Sequence, residues 1–402
     1  ATFIYSVMSL MEIIVLVYII NTEGNPAFKL SWILCVMAVP VVGTIFYIYV
    51  HLQLETRFVQ NRLAALRMET EPYMDQDQKI TDALWEGKSA NAQLSYYLSH
   101  QLGFPTYRNT EAEYFPVGEA KFASMIKELE KAEKFIFMEY FIVEEGIMWN
   151  TILEILKRKA AEGVEVRFMY DGMCAFDLLP YSYPKKLQKY GINCKMSNKI
   201  RPFVSTIQNN RDHRKITVID GKVGYTGGYN LANEYFNYTH PYGEWKDTGI
   251  RLEGDAVASL TAAFLEMWEA SGKTPADVDV LDIEAQKKYL VQHPYQAKQT
   301  GYIQPYADCP LDGIQVGEDV YISIVNKADR YCWFMTPYLI ITDEMTHALS
   351  LAARRGVDVR IITPGIPDKK LIYSITRSFY HNLVQDGVRI YEWTPGVLSC
   401  ER

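Results

Sequence analysis

The stretch HRKITVIDGKVGYTGGYN, from His213 to Asn230, places a histidine, a lysine and an aspartate on one strand-like segment and follows them with a glycine pair and an asparagine. The residues after Lys215 predict a strand of period two, with His213 and Lys215 on one face, so that both side chains can reach one anion. Asp220 falls at the strand end, before a Gly221–Lys222 turn. Gly227 and Gly228 permit close backbone approach, and the Asn230 amide can donate a hydrogen bond into the same pocket. Such a set suits a phosphodiester. A neutral histidine can attack phosphorus while lysine and asparagine stabilise the equatorial oxygens as charge develops. The full pattern, HxKxxxxDxxxxxxGGxN, is far harder to reach by chance than HxK alone. No cluster has metal-ligand spacing, so this chemistry calls for no metal and no cofactor.

Around this segment the chain is built in duplicate. KAEKFIFMEYFI (131–142) is a helix end running into an apolar strand, and MWNTILEILKRKAA (148–161) is an amphipathic helix closed by Gly163. VEVRFMYDG (164–172) is a buried strand. The same grammar returns in KADRYCWFMTPYLI (327–340), in DEMTHALSLAARR (343–355) closed by Gly356, and in VDVRIITPG (357–365). YGINCKM (190–196) is echoed by DGVRIYE (386–392). Strands alternating with helices imply α/β layers around a mixed or parallel sheet. A repeat of this length implies two similar domains facing each other across a pseudo-twofold.

With 402 residues the chain can bury more than one core. Its formal net charge of −7 argues against a general nucleic-acid coat protein. Six scattered cysteines without a CxxC pair read as reduced thiols. Within this acidic chain, residues 185–215 hold Lys185, Lys186, Lys189, Lys195, Lys199, Arg201, Arg211, Arg214 and Lys215 against Asp212 alone. That local basic patch fits an anionic substrate at a membrane surface. Residues 2–20 are apolar apart from Glu12 and a few hydroxyls, and residues 30–50 carry no charge. About 20 apolar residues span a bilayer, so the pair predicts a transmembrane helical hairpin over residues 1–51. Arg57, Arg62 and Arg67 follow it, against the single Lys29 in the linker. That bias places the rest of the chain on the cytoplasmic face of the cell membrane.

Together with the two apolar segments, the phrases EYFI, YDG, NNRDHRKITVIDGKVGYTGGYNLANEY, WKDTGIRLEG, TPYLIITDEM and YEWTPG resemble the phospholipase D superfamily, and within it the bacterial cardiolipin synthases. The resemblance implies an α/β protein. A transmembrane hairpin (1–51) and a linker or surface helix (52–110) would precede a first phospholipase D-like domain (111–277), a mixed β-sheet flanked by helices. A connection (278–302) and a second, incomplete domain of the same kind (303–402) would follow. The resemblance also implies a phosphatidyltransferase that converts two phosphatidylglycerol molecules into cardiolipin and glycerol through a phosphatidyl-histidine. His213 would be the nucleophile or its acid/base counterpart. Lys215, Asn230 and Gly228 would bind the phosphate, Asp220 would be the supporting carboxylate, and Asp247 in WKD a further supporting candidate. The implied partners are phosphatidylglycerol, other anionic phospholipids and the bilayer, with no nucleic acid, metal or cofactor.

The duplication breaks at the motif itself. None of the other six histidines heads an HxK. After YEWTPG the chain reads VLSCER, with Ser399 about where a second histidine belongs and Glu401 where its lysine would stand. Serine is no general acid, and glutamate would repel a phosphate. The ending therefore reads as the truncated or frame-shifted tail of a longer enzyme, and the chain as an incomplete copy with impaired activity. Three other readings stay open: a homodimer in which two copies of His213 share a site, a non-catalytic membrane protein that binds anionic lipid, and another enzyme of the superfamily. That enzyme would be a nuclease, a phosphatidylserine synthase or a phospholipid hydrolase.

Overall fold

The structure, a computed structural model, describes residues 2–22, 24–52, 61, 63–68, 70–198, 211–271, 286–290, 293–308 and 314–398. The expectations for Arg57, Arg62, Lys199, Arg201, Ser399 and Glu401 lie outside the described residues. Residues 1–60 belong to one unit, and residues 61–200 with 211–402 form a second.

In the first unit, helix α1 (Thr2–Asn21) is followed by α2 (Pro26–Ala38) and α3 (Pro40–Leu52). The apolar run 30–50 was expected to be one continuous helix, and the structure corrects this: the chain reverses at Val39. Proline disfavours helical backbone in the residue before it and is pre-organised for the first position of a new helix. The reversal lays Trp32 against Phe46, Tyr47 and His51, with ring centroids 5.6, 5.3 and 5.9 Å away. Gly43 makes this approach possible, since a Cβ there would sit 2.6 Å from the Cys35 carbonyl oxygen. Val15 and Ile19 of α1 pack with Val36 and Tyr47. Among the described residues no helix is long and apolar enough to cross a membrane.

The second unit holds a seven-stranded mixed sheet of order β1-β8-β6-β5-β2-β3-β4. Its strands are β1 (Thr110–Phe115), β2 (Phe135–Tyr140), β3 (Glu165–Asp171), β4 (Asn193–Ser197), β5 (Ile216–Ile219), β6 (Val223–Gly227) and β8 (Gly249–Gly254). Strands β2, β3 and β4 run parallel, whereas β5, β6, β8 and β1 pair antiparallel in sequence from the other edge of β2. Strand β5 does not alternate between apolar and polar, because both of its faces are covered. Ile216 and Val218 join one core, with helix α6 (Val257–Ala270). Ile219 joins the other, beneath helices α4 (Gly118–Glu130) and α5 (Ile147–Ala161). Strand β2 divides in the same way: Phe135 and Phe137 face the first core, and Ile136, Met138 and Tyr140 the second.

The repeat is visible as a second, parallel sheet of order β11-β10-β9, from β9 (Tyr331–Met335), β10 (Asp358–Pro364) and β11 (Arg389–Trp393). Helices α7 (Val316–Lys327) and α8 (Asp343–Arg354) share its core through Val325, Met345 and Leu349. Strands β9, β10 and β11 stand where β2, β3 and β4 stand in the first half. Both repeated helices end on a left-handed glycine, Gly163 at φ +92° and Gly356 at φ +94°. The last described strand, β12 (Gly396–Leu398), leaves its own half and pairs in parallel with β7 (Glu244–Lys246) of the first.

Spin labels at positions 28 and 49 report the reversal in the first unit, in a variant whose other accessible cysteines are serine. The hairpin predicts a separation under about 20 Å for helices packed 8–10 Å apart, whereas one straight helix would give about 31 Å. Electron–electron resonance on the detergent-solubilised protein distinguishes the two.

Candidate active site

Residues 211–215 lead into β5, which begins one residue past Lys215. This lead-in is held by charge on both sides. Arg211 donates to Asp171 Oδ1 at 2.9 Å, at the end of β3. Arg214 turns into the protein, where Nε lies 3.0 Å from Asp212 Oδ1 and an Nη lies 3.1 Å from Glu139 Oε1. Burial drives the Glu139 carboxyl well above its ordinary range, eased by the Arg214 guanidinium. Burial acts on Asp212 in the same sense, but Arg214 wins there and holds that carboxyl below its usual value. Two acids and one guanidinium thus make a buried network behind the motif.

His213 and Lys215 point the other way and meet. The Lys215 ammonium lies 2.8 Å from His213 Nδ1, 3.1 Å from Nε2 and 2.7 Å from the His213 carbonyl oxygen. Lys215 is buried and His213 is exposed, its ring 4.7 Å from that of Phe141. An accessible imidazole beside a buried ammonium can present a ring nitrogen to the phosphorus of an anion.

The remaining expected residues divide. Asn230 is buried, its Oδ1 accepting from the Ile142 amide at 2.9 Å and its Nδ2 donating to the Tyr235 hydroxyl at 3.0 Å. One amide hydrogen of Nδ2 remains for a ligand. Gly228, expected to bind phosphate, gives its amide hydrogen to the Thr248 carbonyl at 3.2 Å. A Cβ there would fall 2.2 Å from Asp247 Oδ1. Asp247 is fully buried beside it and accepts from the Thr248 amide at 2.7 Å.

Asp220, the expected supporting carboxylate, stands away from the imidazole. It lies five residues beyond Lys215 at the far end of β5, roughly 17 Å along an extended chain. There Asp220 and Gly221, both at positive φ, form the hairpin turn between β5 and β6. The Asp220 carboxylate accepts from the amides of Glu133, Lys134 and Phe135 at 2.9, 2.7 and 2.9 Å. Its support goes to the strands and not to the imidazole.

Several cations of the basic run 185–215 are engaged within the protein. Lys186 pairs with Glu145, Lys195 donates to the Trp268 carbonyl, and Arg211 and Arg214 are drawn inward. Spacing gave no hint of Glu139, Asp171 or Lys121. The signal was available: each is a lone charge in an otherwise apolar stretch or on an apolar helix face.

A family model described as cardiolipin synthase, phospholipase D-like domain, matches residues 125–268 and 321–400. The chain belongs to the cardiolipin synthase family of the phospholipase D superfamily. It is 32% identical to a cardiolipin synthase of Alkalihalophilus pseudofirmus over 98% of this chain and 77% of that one. It is 46% identical to an uncharacterised protein of Streptococcus mutans over 96% of this chain and 81% of that one. A solved phosphatidylserine synthase from Haemophilus influenzae aligns at 15% identity and a TM-score of 0.49, covering 72% of this chain and 76% of that one. Membership of the cardiolipin synthase family carries phosphatidyl transfer as the chemistry at family level, and the two matched segments contain β2–β8 and β9–β11.

Replacing Asp220 by alanine strands three amide hydrogens. The expected loss is roughly 3 kcal/mol of stability, read as a lower midpoint in urea unfolding. A carboxylate serving only the chemistry would leave that midpoint in place.

Proposed function

We propose that this protein transfers a phosphatidyl group from one phosphatidylglycerol to the terminal hydroxyl of a second, releasing glycerol and forming cardiolipin. The observation that carries the reading is the contact of exposed His213 with buried Lys215. A ring nitrogen of His213 attacks phosphorus, the bond to glycerol breaks, and a general acid protonates the departing oxygen. The conjugate base then takes the proton from the hydroxyl of the incoming phosphatidylglycerol, whose oxygen attacks phosphorus and frees the imidazole. Lys215 and the remaining Asn230 amide hydrogen stabilise the oxygens in both transfers.

The HxK pattern occurs once in the 402 residues. The reading therefore gives the proton transfers to a group other than a second HxK histidine. The reaction belongs at the cytoplasmic face of a membrane, with α1, α2 and α3 entering its apolar layer. This is supported by the outward-facing Leu10, Ile14, Phe28, Leu34 and Val42. Helices α2 and α3, 13 residues each, are about 20 Å long, so they would enter and turn back within a hydrocarbon layer of about 30 Å.

The test supplies labelled phosphatidylglycerol to the detergent-solubilised protein together with the carboxy-terminal segment of a cardiolipin synthase relative. Cardiolipin and an acid-labile label on the wild-type chain are expected. His213→Ala should lower both by about 10³-fold or more. Absence of both products from the wild-type mixture overturns the reading.

A further inference from the structure

Two crossovers carry the same surface chemistry. Residues 172–190 leave the carboxyl end of β3 on the way to its parallel neighbour β4, and residues 365–388 leave the carboxyl end of β10 on the way to β11. In the first half that edge is where His213 stands. The Cys174 thiol donates to the Phe141 carbonyl at 3.3 Å, and the Phe141 ring meets that of His213. In the second half, Ile366 reaches to 3.1 Å from where a Cβ on Gly243 would lie, beside β7. The first crossover buries Tyr183 and Leu187 as anchors and exposes Met173, Phe176 and Tyr181, with Phe176 64% accessible. The second contains helix α9 (Lys370–Ser378). Its Thr376 is buried, the hydroxyl accepting from the Leu339 amide at 3.1 Å. Leu371 and Ile375, one helical turn apart, point outward, and Leu371 is 76% exposed. Cations flank both sets. Residues 172–190 hold Lys185, Lys186 and Lys189 against Asp177, and residues 365–380 hold Lys369, Lys370 and Arg377 against Asp368, in a chain of net charge −7. Glu145 pairs with Lys186, while Lys185, Lys189 and Lys370 are exposed.

We infer that these two crossovers are a membrane-docking surface, which lies on an anionic bilayer with its apolar side chains in the acyl boundary and its ammonium groups among the lipid phosphates. One exposed leucine or phenylalanine is ordinary on a protein surface. Apolar side chains bracketed by cations, at the equivalent place of both repeats, are the composition of an interfacial surface. A protein partner fits this composition less well, because lysine is depleted from protein–protein interfaces. The docking surface goes beyond the phosphatidyl-transfer reading and rests on it for the choice of partner. A lipid whose phosphate must reach His213 stays in its leaflet if the rim beside Phe141 meets the headgroups, so no acyl chain has to cross water.

The test places a nitroxide on the full chain at Phe176→Cys, at Leu371→Cys or, for reference, at Lys131→Cys on the amino side of β2, with the other accessible cysteines changed to serine. Each protein is reconstituted into vesicles of phosphatidylglycerol and phosphatidylcholine in equal parts, and into vesicles of phosphatidylcholine alone. Collision of the label with oxygen, which concentrates in lipid, is compared with collision with a water-soluble nickel complex. In the anionic vesicles the oxygen-to-nickel ratio is expected to rise severalfold at 176 and 371 over that at 131, and the rise is expected to shrink in phosphatidylcholine alone. Labels at 176 and 371 as wet as the one at 131 overturn the inference, and so does equal immersion in both kinds of vesicle. Labels shielded from both reagents mark a protein neighbour and overturn it in favour of that partner. Because the readout is depth and not turnover, the two readings separate. Wet labels on a chain that still forms cardiolipin sink the docking surface alone. Immersed labels on a chain that transfers no phosphatidyl group sink the transfer reading and leave the docking surface in place.

Discussion

The Asp220 carboxylate receives the amide hydrogens of Glu133, Lys134 and Phe135, and through them fixes how β5 lies against β2. The pairing sets Ile136 opposite Ile219, Phe137 opposite Val218 and Glu139 opposite Ile216. A shift of one residue would exchange the faces of every side chain on β5 and in its lead-in. Arg214 and Lys215 would then trade places, taking the guanidinium out of its acidic network and putting the motif's lysine into it. The hairpin turn with its triple acceptor prevents this. An aspartate far from the imidazole therefore decides where the imidazole points.

The lead-in itself is stretched between opposite demands. Arg211 and Arg214 pull toward the acids Asp171, Asp212 and Glu139. His213 and Lys215 are left to the open side. Breaking these pairs would leave buried charge without a partner, which is costly. That cost is what holds an accessible histidine in one place on a segment that has not yet entered its strand.

Much of this was legible in the sequence. The duplicated strand and helix phrases became two sheets with matching order, and both glycines foreseen as helix ends took the left-handed conformation. The motif brought His213 and Lys215 together as their spacing required. Other readings went astray for physical reasons. Strand β5 is covered on both faces, so period two carried no information about which side was wet. A motif shows which residues recur but not which atoms they bind, and so Asp220 and Gly228 looked chemical when one ties strands and the other makes room. The apolar run 30–50 was read for hydropathy, yet the proline within it and the glycine three residues later determine a reversal. Lys121 went unseen because a lone cation on an apolar helix face signals burial without showing which surface it meets.

Gly249 and Gly228 are defined by what passes over them: a lysine stem in one case, a carboxylate in the other. Positions 121 and 249, more than a hundred residues apart in the chain, thereby share one parcel of space. A side chain at 249 would have to displace or shorten the lysine at 121, and one at 228 would have to move the carboxylate of Asp247, so each glycine is a place where two distant parts of the chain share room.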